Sequence, residues 1–451
     1  MNYIDLLFEM LFSLLVMLIF TVLACCFSTF IILMISFRII VQLRRNTVPR
    51  NGKQIVSFFH PNCLSGGGGE RVLWIGVNAL LKKYKNIHIV IHSAELVCFE
   101  SPSEALQRVS SRFGIGLCRP EAVSFSPILR TAFLLKPECY PILTLLGQFI
   151  GGTICSLEAL IRFPSDVIVD TVGCAGLIIP WKLFGQAQVV CYVHYPTIST
   201  SMLGRVVDPT STGSIYNNSD WIRESHFFTA LKVYYYKLFA SLYGFCGTFS
   251  DVVMTNSTWT QNHVKALWGG NPTVVYPPCD TAQFSQLYEL EDKPGLWIIS
   301  SSEDVEACRL LLVGSCRDES DEVRVKELKV FADQLGISHA VDFHLNTDFA
   351  ALRELVSRCT VNLHTMLEEH FGISVVEGMA AGLLTVAHNS GGPQTDIIGP
   401  DRSSTEEGAD WSKGVGYLCS TETEYADTFH HIFNKLTREQ LNSIRSAAKS
   451  R

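Results

Sequence analysis

The sequence predicts an α/β protein in which two doubly wound domains face a cleft and an N-terminal transmembrane helix precedes them. Short apolar segments of strand length alternate with longer segments of helix length, which is typical of parallel sheets covered by helices. A run of 28 residues from Met10 to Phe37 contains no charged residue, and about 20 apolar residues suffice to span a bilayer. The length of 451 residues suggests two or three domains.

Composition excludes some classes of function. Hydrophobic residues make up 47% of the chain and the net charge is −7, so no basic surface indicates a nucleic-acid partner. The fifteen cysteines are scattered without a C-x2-C pair or a Cys/His cluster. This favours free thiols in a reducing compartment over a zinc site or a disulfide framework, although a structural disulfide stays open as the alternative.

The first 53 residues read as an uncleaved membrane anchor with a basic flank. The missing basic n-region and the length of the run argue against a cleaved signal peptide. The positive-inside rule places the N-terminus outside the cytosol and the rest of the chain inside it, as a single-pass protein. A buried core helix is the alternative. No Lys or Arg precedes the apolar run, and five follow it: Arg38, Arg44, Arg45, Arg50 and Lys53.

The first domain opens with a predicted strand, Ile55 to Phe59, and a glycine-rich turn. The turn leads into a helix whose apolar side we expect to comprise Val72, Leu73, Ile75 and Leu80. Backbone amides at such a helix start can approach a diphosphate without interference from Cβ atoms. The spacing is neither G-x-G-x-x-G nor a Walker loop, so a dinucleotide or ATP site is not indicated; a merely flexible loop is the alternative. The residues of this candidate anion site are Gly66, Gly67, Gly68, Gly69 and, after Glu70, Arg71.

Further strands of the same sheet are predicted from short apolar runs. In a doubly wound domain the ligand crevice lies at the carboxyl ends of the strands. His194 comes directly after one of these runs, so it could contact a ligand or handle a proton there; a histidine satisfied by backbone groups is the alternative. The runs are Ile87 to Ile91, Val167 to Val169, Val189 to Val193 and Val252 to Met254.

The second domain contains a predicted β-loop-α-β unit with two glutamates. A strand from Thr360 to Leu363 leads into a loop that carries Glu369, and a helix begins near Phe371-Gly372. Glu377 lies eight residues after Glu369, about one and a half turns into that helix. The helix start at Gly372 and Ile373 can bind phosphate. The two acids beside it suit a nucleotide-sugar, with one acid facing the sugar and the other the ribose. The alternative is a surface Glu followed by one that the helix dipole favours. The helix is expected to bury Val375, Val376 and Met379, and a strand from Leu384 to Ala387 to follow.

The motifs around these glutamates are specific. Glu369-x7-Glu377, with Asn389-Ser-Gly-Gly-Pro393 after it, resembles the E-x7-E signature of the retaining glycosyltransferases of family 4, which have the GT-B fold. Further motifs occur in order before it: Phe58 to Pro61, Gly66 to Leu73, Tyr192 to Ser199, and Tyr276 to Asp280. With them, the chain from about residue 54 to about 435 resembles the GDP-mannose-dependent α-1,2-mannosyltransferases of the endoplasmic reticulum that extend dolichol-linked Man3GlcNAc2.

The resemblance implies a reaction and a set of roles. Mannose would pass from GDP-mannose to a dolichol-pyrophosphate oligosaccharide with retention, as the fourth and fifth mannoses of the N-glycan precursor. Glu369 and His194 would contact the transferred sugar and Glu377 the ribose. The diphosphate would lie between the glycine-rich turn and Gly372-Ile373. The resemblance implies no metal and no cofactor; the expected partners are the two substrates, the endoplasmic reticulum membrane and other mannosyltransferases of the pathway.

The sequence also predicts how the chain is divided. Residues 54–280 would form a Rossmann-like acceptor domain, residues 281–435 a Rossmann-like donor domain and residues 436–451 a tail. Two apolar stretches of the acceptor domain suit a lipid-linked substrate, namely Ile142 to Leu157 and the aromatic- and lysine-bearing His226 to Phe249. Core packing is the alternative for both.

One segment departs from the family pattern. Predicted strands at Leu296 to Ser300 and Arg309 to Val313 are separated only by Ser301 to Cys308, whereas neighbouring parallel strands need a crossover of about a dozen residues or more. In the family this gap holds an Arg/Lys-bearing loop and helix that bind the donor diphosphate. We therefore expect an incomplete donor domain. The alternative function is a catalytically impaired, shortened isoform that acts only as a membrane-anchored binding partner.

Overall fold

A computed structural model describes residues 3–95, 101–198, 202, 226–289, 309–314, 316, 319–399 and 414–451. The predicted strand Leu296 to Ser300 and the eight residues after it lie outside this set. The structure therefore describes only the second of the two predicted strands that Ser301 to Cys308 separate. That strand is present, one residue later than predicted.

The first sheet has seven parallel strands in the order β3-β2-β1-β4-β5-β6-β7. The chain order thus reverses between β1 and β4, which marks the switch point where doubly wound domains bind ligands. Five strands were predicted; β3 and β7 were not, because β3 alternates with serines at the sheet edge and β7 has two residues. The strands are β1 (Gln54–Phe59), β2 (Ile87–Ser93), β3 (Val123–Pro127), β4 (Val167–Asp170), β5 (Gln188–Val193), β6 (Val252–Thr255) and β7 (Thr273–Val274).

The remaining strands form two smaller parallel sheets in the described part of the chain. One pairs β8 with β9 and the other has the order β10-β11-β12, with Leu363 opposite Val386. The predicted strands around the glutamates are confirmed within one residue at each end. These strands are β8 (Leu310–Gly314), β9 (Val341–Leu345), β10 (Val361–His364), β11 (Leu384–His388) and β12 (Tyr417–Cys419).

Thirteen α-helices lie in the described residues. In chain order they are α1 (Tyr3–Thr47), α2 (Gly68–Lys83), α3 (Pro102–Phe113), α4 (Thr144–Arg162), α5 (Ala175–Leu183), α6 (His226–Gly247), α7 (Thr258–Trp268), α8 (Thr281–Ser285), α9 (Glu319–Gln334), α10 (Phe349–Arg358), α11 (Ile373–Ala380), α12 (Glu422–Asn434) and α13 (Arg438–Ser450).

The predicted buried face of α2 is wrong in part. Of the four predicted residues only Leu73 is buried. Its buried companions are Trp74, Val77 and Leu81, which lie one, four and eight positions further along and so share one face of the helix. The indole of Trp74 donates to the carbonyl of Cys63 at 2.7 Å, and this contact fixes the turn that precedes the helix.

Helix α11 packs closely on the strand before it. Val375 and Met379 are buried as predicted, whereas Val376 is only partly buried. A Cβ atom at Gly378 would overlap the side chain of Asn362, so glycine allows the helix to lie against β10. This close approach fixes where the helix begins and therefore where Glu377 points.

The N-terminal helix α1 is apolar and exposed along most of its length but is held by the body at its end. Val41 is fully buried and Phe37 packs edge-on against Phe184 at 4.8 Å. Arg45 pairs with Asp166 at 2.6 Å. Within the part of the chain that the structure describes, two helices, α1 and α4, are long and apolar enough to cross a membrane, but a third of the apolar window of α4 is buried in the protein.

Helices α4 and α6 lie against each other, where the sequence predicts two apolar stretches. The Tyr235 hydroxyl accepts a hydrogen bond from the Leu146 amide at 3.0 Å, and Phe149 meets Phe239 edge-on at 6.1 Å. Their outer faces expose Ile150, at 50%, among other apolar side chains. Residues 436–451, predicted as a tail, contain α13, which buries Ile444.

Candidate functional site

The starts of α2 and α11 face each other across the cleft. A Cβ atom at Gly68 would lie 2.9 Å from Cδ1 of Ile373, so the two helix ends approach closely at this glycine. Gly66 has a φ of +92°, which side-chain-bearing residues rarely adopt. The cleft thus has the amide-rich ends of two helices at one level, which suits an anion between them.

A carboxylate that the sequence reasoning did not use lies on this wall. Glu70 follows the glycines and curls back toward the amides of Gly67 and Glu70 itself. Burial raises the pKa of Glu70. The hydrogen bond and charge of His60, together with these amides, lower it by more, so the net shift is downward. Nδ1 of His60 lies 2.7 Å from the Thr171 hydroxyl and its Nε2 lies 3.5 Å from Glu70. These groups join the ends of β1 and β4 at the switch point.

His194 lies at the end of β5, beside the glycine-rich turn. Its Nε2 is buried with no hydrogen-bond partner among the described residues and is 3.6 Å from where a Cβ of Gly69 would be. Burial, followed by the nearby charge of His60, lowers the pKa of His194 to about 4, so the imidazole is neutral at pH 7. A buried polar atom without a partner costs about 1–3 kcal/mol, and a ligand hydroxyl in the cleft would remove that cost. The alternative of a histidine satisfied by backbone groups does not hold at this nitrogen.

Glu369 lies on the opposite wall, in the loop after β10. Its Oε2 is 3.1 Å from Nε2 of His364. Burial alone would raise the pKa of Glu369, but the hydrogen bond and charge of His364 outweigh burial and lower it. The carboxylate is therefore ionised at neutral pH and can face the positive charge that develops on a transferred sugar.

The Asn-Ser-Gly-Gly-Pro turn holds this loop in place. The Glu368 amide donates to the Ser390 hydroxyl at 2.7 Å, and the Gly392 amide donates to the Glu369 carbonyl at 2.7 Å. Gly391 has a φ of +61°, and a Cβ there would overlap the Glu369 carbonyl. The turn motif thus positions the backbone of Glu369.

Glu377 is joined to the other half of the protein. Its Oε1 lies 3.5 Å from Nη1 of Arg71 and accepts a 3.4 Å hydrogen bond from the Asp280 amide. Arg71 also pairs with the Asp280 carboxylate at 3.2 Å. Burial raises the pKa of Glu377, and the charge of Arg71 opposes this shift. The sequence predicted Arg71 and Glu377 separately and did not predict Asp280 as a site residue.

A stack of three aromatic rings closes the same cleft on one side. Tyr195 lies over His370 with centroids 4.2 Å apart, and Trp259 is 5.9 Å from each of them, nearly parallel to both. Sequence patterns give no sign of this stack, because its members come from the segment after β5, from α7 and from the Glu369 loop. It brings His370, next to Glu369, against the wall that carries His194.

The structure therefore brings most of the predicted site residues together, in two groups. Gly68 and Gly69 lie near Ile373 and His194, within reach of an added Cβ atom, and Arg71 pairs with Glu377. Glu369 bonds to His364 rather than to another predicted site residue. Among the residues that the structure describes, no group of three or more His, Cys, Asp or Glu side chains is arranged to hold a metal ion.

Two protein families match the chain. The family described as ALG11 mannosyltransferase N-terminus matches residues 53–268, and the family described as glycosyl transferases group 1 matches residues 299–428. The first match covers six of the seven strands of the first sheet, β1 to β6, and the second covers the β-loop-α-β unit with both glutamates.

Curated relatives extend the match over nearly the whole chain. The human GDP-Man:Man(3)GlcNAc(2)-PP-Dol alpha-1,2-mannosyltransferase is 37% identical over 452 residues, which cover 93% of this chain and 88% of that protein. This chain belongs to that mannosyltransferase family. Its Xenopus laevis member is 38% identical over 93% of this chain and 89% of its own length, and its Dictyostelium discoideum member is 34% identical over 84% and 77%.

Solved structures show the fold of the family. Anabaena Alr3699/HepE in complex with UDP and glucose matches with a TM-score of 0.52 at 14% identity, covering 88% of this chain and 93% of that chain. Sucrose-phosphate synthase from Thermosynechococcus elongatus matches with a TM-score of 0.55 at 14% identity, covering 88% and 94%. The fold is GT-B, as the sequence predicts, and the protein is a glycosyltransferase.

Proposed function

We propose that the protein is a retaining α-1,2-mannosyltransferase that transfers mannose from GDP-mannose to dolichol-pyrophosphate-linked Man3GlcNAc2, adding the fourth and fifth mannoses of the N-glycan precursor. The observation that carries this proposal is the identity of 37–38% to relatives named for this reaction, over 88–89% of their length. This coverage includes both walls of the cleft, so the similarity to these relatives extends over the residues expected to bind the acceptor and those expected to bind the donor.

The geometry supports a division of roles. The donor diphosphate would lie between Gly66–Gly69 and the start of α11 at Gly372 and Ile373, because the N-terminal ends of two helices favour an anion there. The ionised Glu369 would stabilise positive charge on the mannose as the bond to phosphate lengthens. Neutral His194, with its unpaired Nε2, would hydrogen-bond to the sugar from the opposite wall. The ribose would meet Glu377.

The test is transfer of radiolabelled mannose to a Man3 lipid acceptor by the detergent-solubilised protein. We expect Glu369→Gln, which keeps the shape and removes the charge, to lower the rate about 10²- to 10³-fold, the range seen when one electrostatic contact to a transition state is removed. Glu354→Gln is the matched control, because Glu354 lies on α10 with 66% of its side chain exposed. Unchanged transfer by the Glu369 variant would refute its role.

The same proposal includes location and domain organisation. The relatives' names place the acceptor on dolichol, and α1 supplies a candidate span. We propose a single-pass protein of the endoplasmic reticulum membrane with its catalytic body in the cytosol. Its parts would be the anchor 1–53, the acceptor domain 54–280, the donor domain 281–435 and the C-terminal segment 436–451. The exposed apolar faces of α4 and α6 would contact the lipid of the acceptor, and other mannosyltransferases of the pathway would be its neighbours.

A second candidate rests on the eight residues from Ser301 to Cys308. If the family's cationic loop is missing there, the chain would bind GDP-mannose weakly and act only as a membrane-anchored partner of the pathway. Single-turnover transfer separates the two candidates: a catalyst converts bound donor to product, whereas the binding partner retains donor in the presence of acceptor. Sequencing the transcript across codons 296 to 310 would show a skipped exon.

A further inference from the structure

Three side chains from three parts of the chain meet in the middle of the cleft. Arg71 belongs to α2, on the side of the seven-stranded sheet; Glu377 belongs to α11, on the side of the smaller sheet; Asp280 lies in the segment that joins them. Their ion pairs measure 3.2 Å and 3.5 Å. All three side chains are largely buried, at 15–19% exposed, where charges interact more strongly than at a surface.

The two oxygens of Glu377 have different surroundings. Oε1 faces Arg71 and the Asp280 amide. Oε2 accepts no hydrogen bond within the described part of the chain and is not shut off from solvent. A carboxylate with one oxygen fixed cannot rotate freely, so its second oxygen is held in one direction and loses little entropy when a hydroxyl binds to it.

We propose that Arg71 is a positioning residue for ribose recognition, which from the opposite wall holds Oε1 of Glu377 so that Oε2 receives the ribose hydroxyls of the nucleotide. This inference rests on the proposed function, in which Glu377 is the ribose ligand. It adds that the ligand is assembled by both halves of the protein. Binding of the nucleoside and contact between the two halves are then thermodynamically linked, and each favours the other.

A competing role for Arg71 is direct contact with the donor diphosphate, because its Nε is buried with no partner in the described residues. The two roles differ in the part of the nucleotide that they sense. A positioning role through Glu377 requires ribose hydroxyls on the ligand, whereas a phosphate contact does not. Guanosine diphosphate and its 2′,3′-dideoxy form therefore distinguish them.

The experiment is calorimetry of the detergent-solubilised full chain with GDP and with 2′,3′-dideoxy-GDP. We expect the unaltered protein to bind GDP about tenfold or more tightly than the dideoxy ligand, as for a hydrogen bond to a charged group. Arg71→Met, similar in length and uncharged, should weaken GDP about tenfold and leave dideoxy-GDP unchanged, so that the preference disappears. Arg71→Lys should restore only part of it, because one ammonium cannot replace a planar fork that faces two carboxylates.

The control variants are measured with the same two ligands, GDP and 2′,3′-dideoxy-GDP. Lys82→Met, at an exposed position of the same helix, should keep the preference, and Arg71→Met combined with Glu377→Gln should lose no more than Glu377→Gln alone. An equal loss of GDP and dideoxy-GDP binding in Arg71→Met would overturn the inference, as would no loss of either. Failure of the proposed function has a different signature, in which the unaltered protein does not bind GDP at all.

Discussion

At the scale of single residues, burial sets the charge of groups next to the cleft. Asp170 ends β4 and is fully buried; its Oδ1 accepts from the Val172 amide at 3.0 Å, and its Oδ2 has no partner in the described residues. Burial raises the pKa of Asp170 to about 7 from its ordinary 3.8. The folded protein therefore keeps a proton that the unfolded chain has lost, over the pH range from about 4 to about 7. This contribution to stability is complete below that range and is lost as pH rises through it.

Asp170→Asn should remove this pH dependence. The amide keeps an acceptor for the Val172 N–H and carries no charge at any pH. We expect the melting temperature of the variant minus that of the unaltered protein to rise as pH increases from 5 to 8. The measurement is thermal unfolding of both proteins in the same detergent at several pH values. A difference that is constant with pH would show that Asp170 is ionised throughout.

Gly391 offers a prediction about the loop that carries Glu369. Alanine there would meet both an unfavourable φ of +61° and overlap with the Glu369 carbonyl. The matched control is Gly336→Ala, where φ is +70° but no atom lies within 4 Å of the added Cβ. The control should cost about 1 kcal/mol from backbone strain alone. Gly391→Ala should lower the free energy of unfolding by more than the control does, and it should also lower mannose transfer. If the two variants had the same effect on stability and the same effect on transfer, the role of the turn would be contradicted.

Sequence reasoning found the residues at the cleft that belong to local motifs and missed those defined by contacts through space. Glu369 and Glu377 are recognisable from their spacing and neighbours. Asp280 and Trp259 are separated from their partners by 64 to 209 residues of sequence, and no periodicity marks them. Glu70 was passed over because the glycines before it indicated an anion site, whereas a carboxylate of the chain itself faces those amides.

At the scale of secondary-structure elements, a carboxylate from one half of the protein caps a helix of the other. Both oxygens of Asp396 accept from the Thr258 amide, at 3.0 and 3.1 Å, at the first residue of α7. The Tyr276 hydroxyl donates to the same carboxylate at 3.0 Å. A negative charge is favourable at this end of a helix, and the helix that it fixes carries Trp259 of the aromatic stack. Asp396 thus links the two halves near the Glu369 loop.

Asp396→Ala should weaken this link. Losing a helix cap costs about 1 kcal/mol, and the same cost applies to the control Asp348→Ala, which caps α10 through the Ala351 amide at 2.8 Å. Only the Asp396 variant should also lower the turnover rate and lengthen the distance between fluorophores placed on the two halves. Asp396→Asn, which keeps an acceptor oxygen, should recover much of both. If Asp348→Ala lengthened that distance equally, the effect would reflect general destabilisation.

The difference between local sequence patterns and contacts through space also explains how much of the fold could be predicted. Strands with buried, nearly continuous apolar runs, such as β1 with five of its six residues buried, were found within one or two residues. Strand β3, with two serines at the sheet edge, was not found, since its pattern equals that of a loop. The buried face of α2 was misjudged because Trp74 packs across to Cys63, a contact that no helical periodicity encodes.

At the scale of the whole molecule, the N-terminal helix α1 is joined firmly to the catalytic body. Arg45 and Arg50 both reach Asp166, at 2.6 and 2.8 Å, and Asp166 also accepts from the Ile55 amide at 3.0 Å. Arg44 also donates to the Ile161 carbonyl at 3.3 Å, so at least three of the five basic residues after the apolar run bind the body. The chain then continues directly into β1. The orientation of α1 in a bilayer therefore determines on which side the cleft lies.

The last prediction concerns that side. Five basic residues follow the apolar run and none precedes it, so the body should face the cytosol. Protease added to intact microsomes should then digest the body without detergent. Cys118, which is exposed on the body, gives a second reporter of topology. A membrane-impermeant maleimide should label the unaltered protein more than Cys118→Ser in intact microsomes. Label that appears only after detergent, together with a protease-resistant body, would place the cleft in the lumen, away from the cytosolic pool on which a GDP-mannose donor depends.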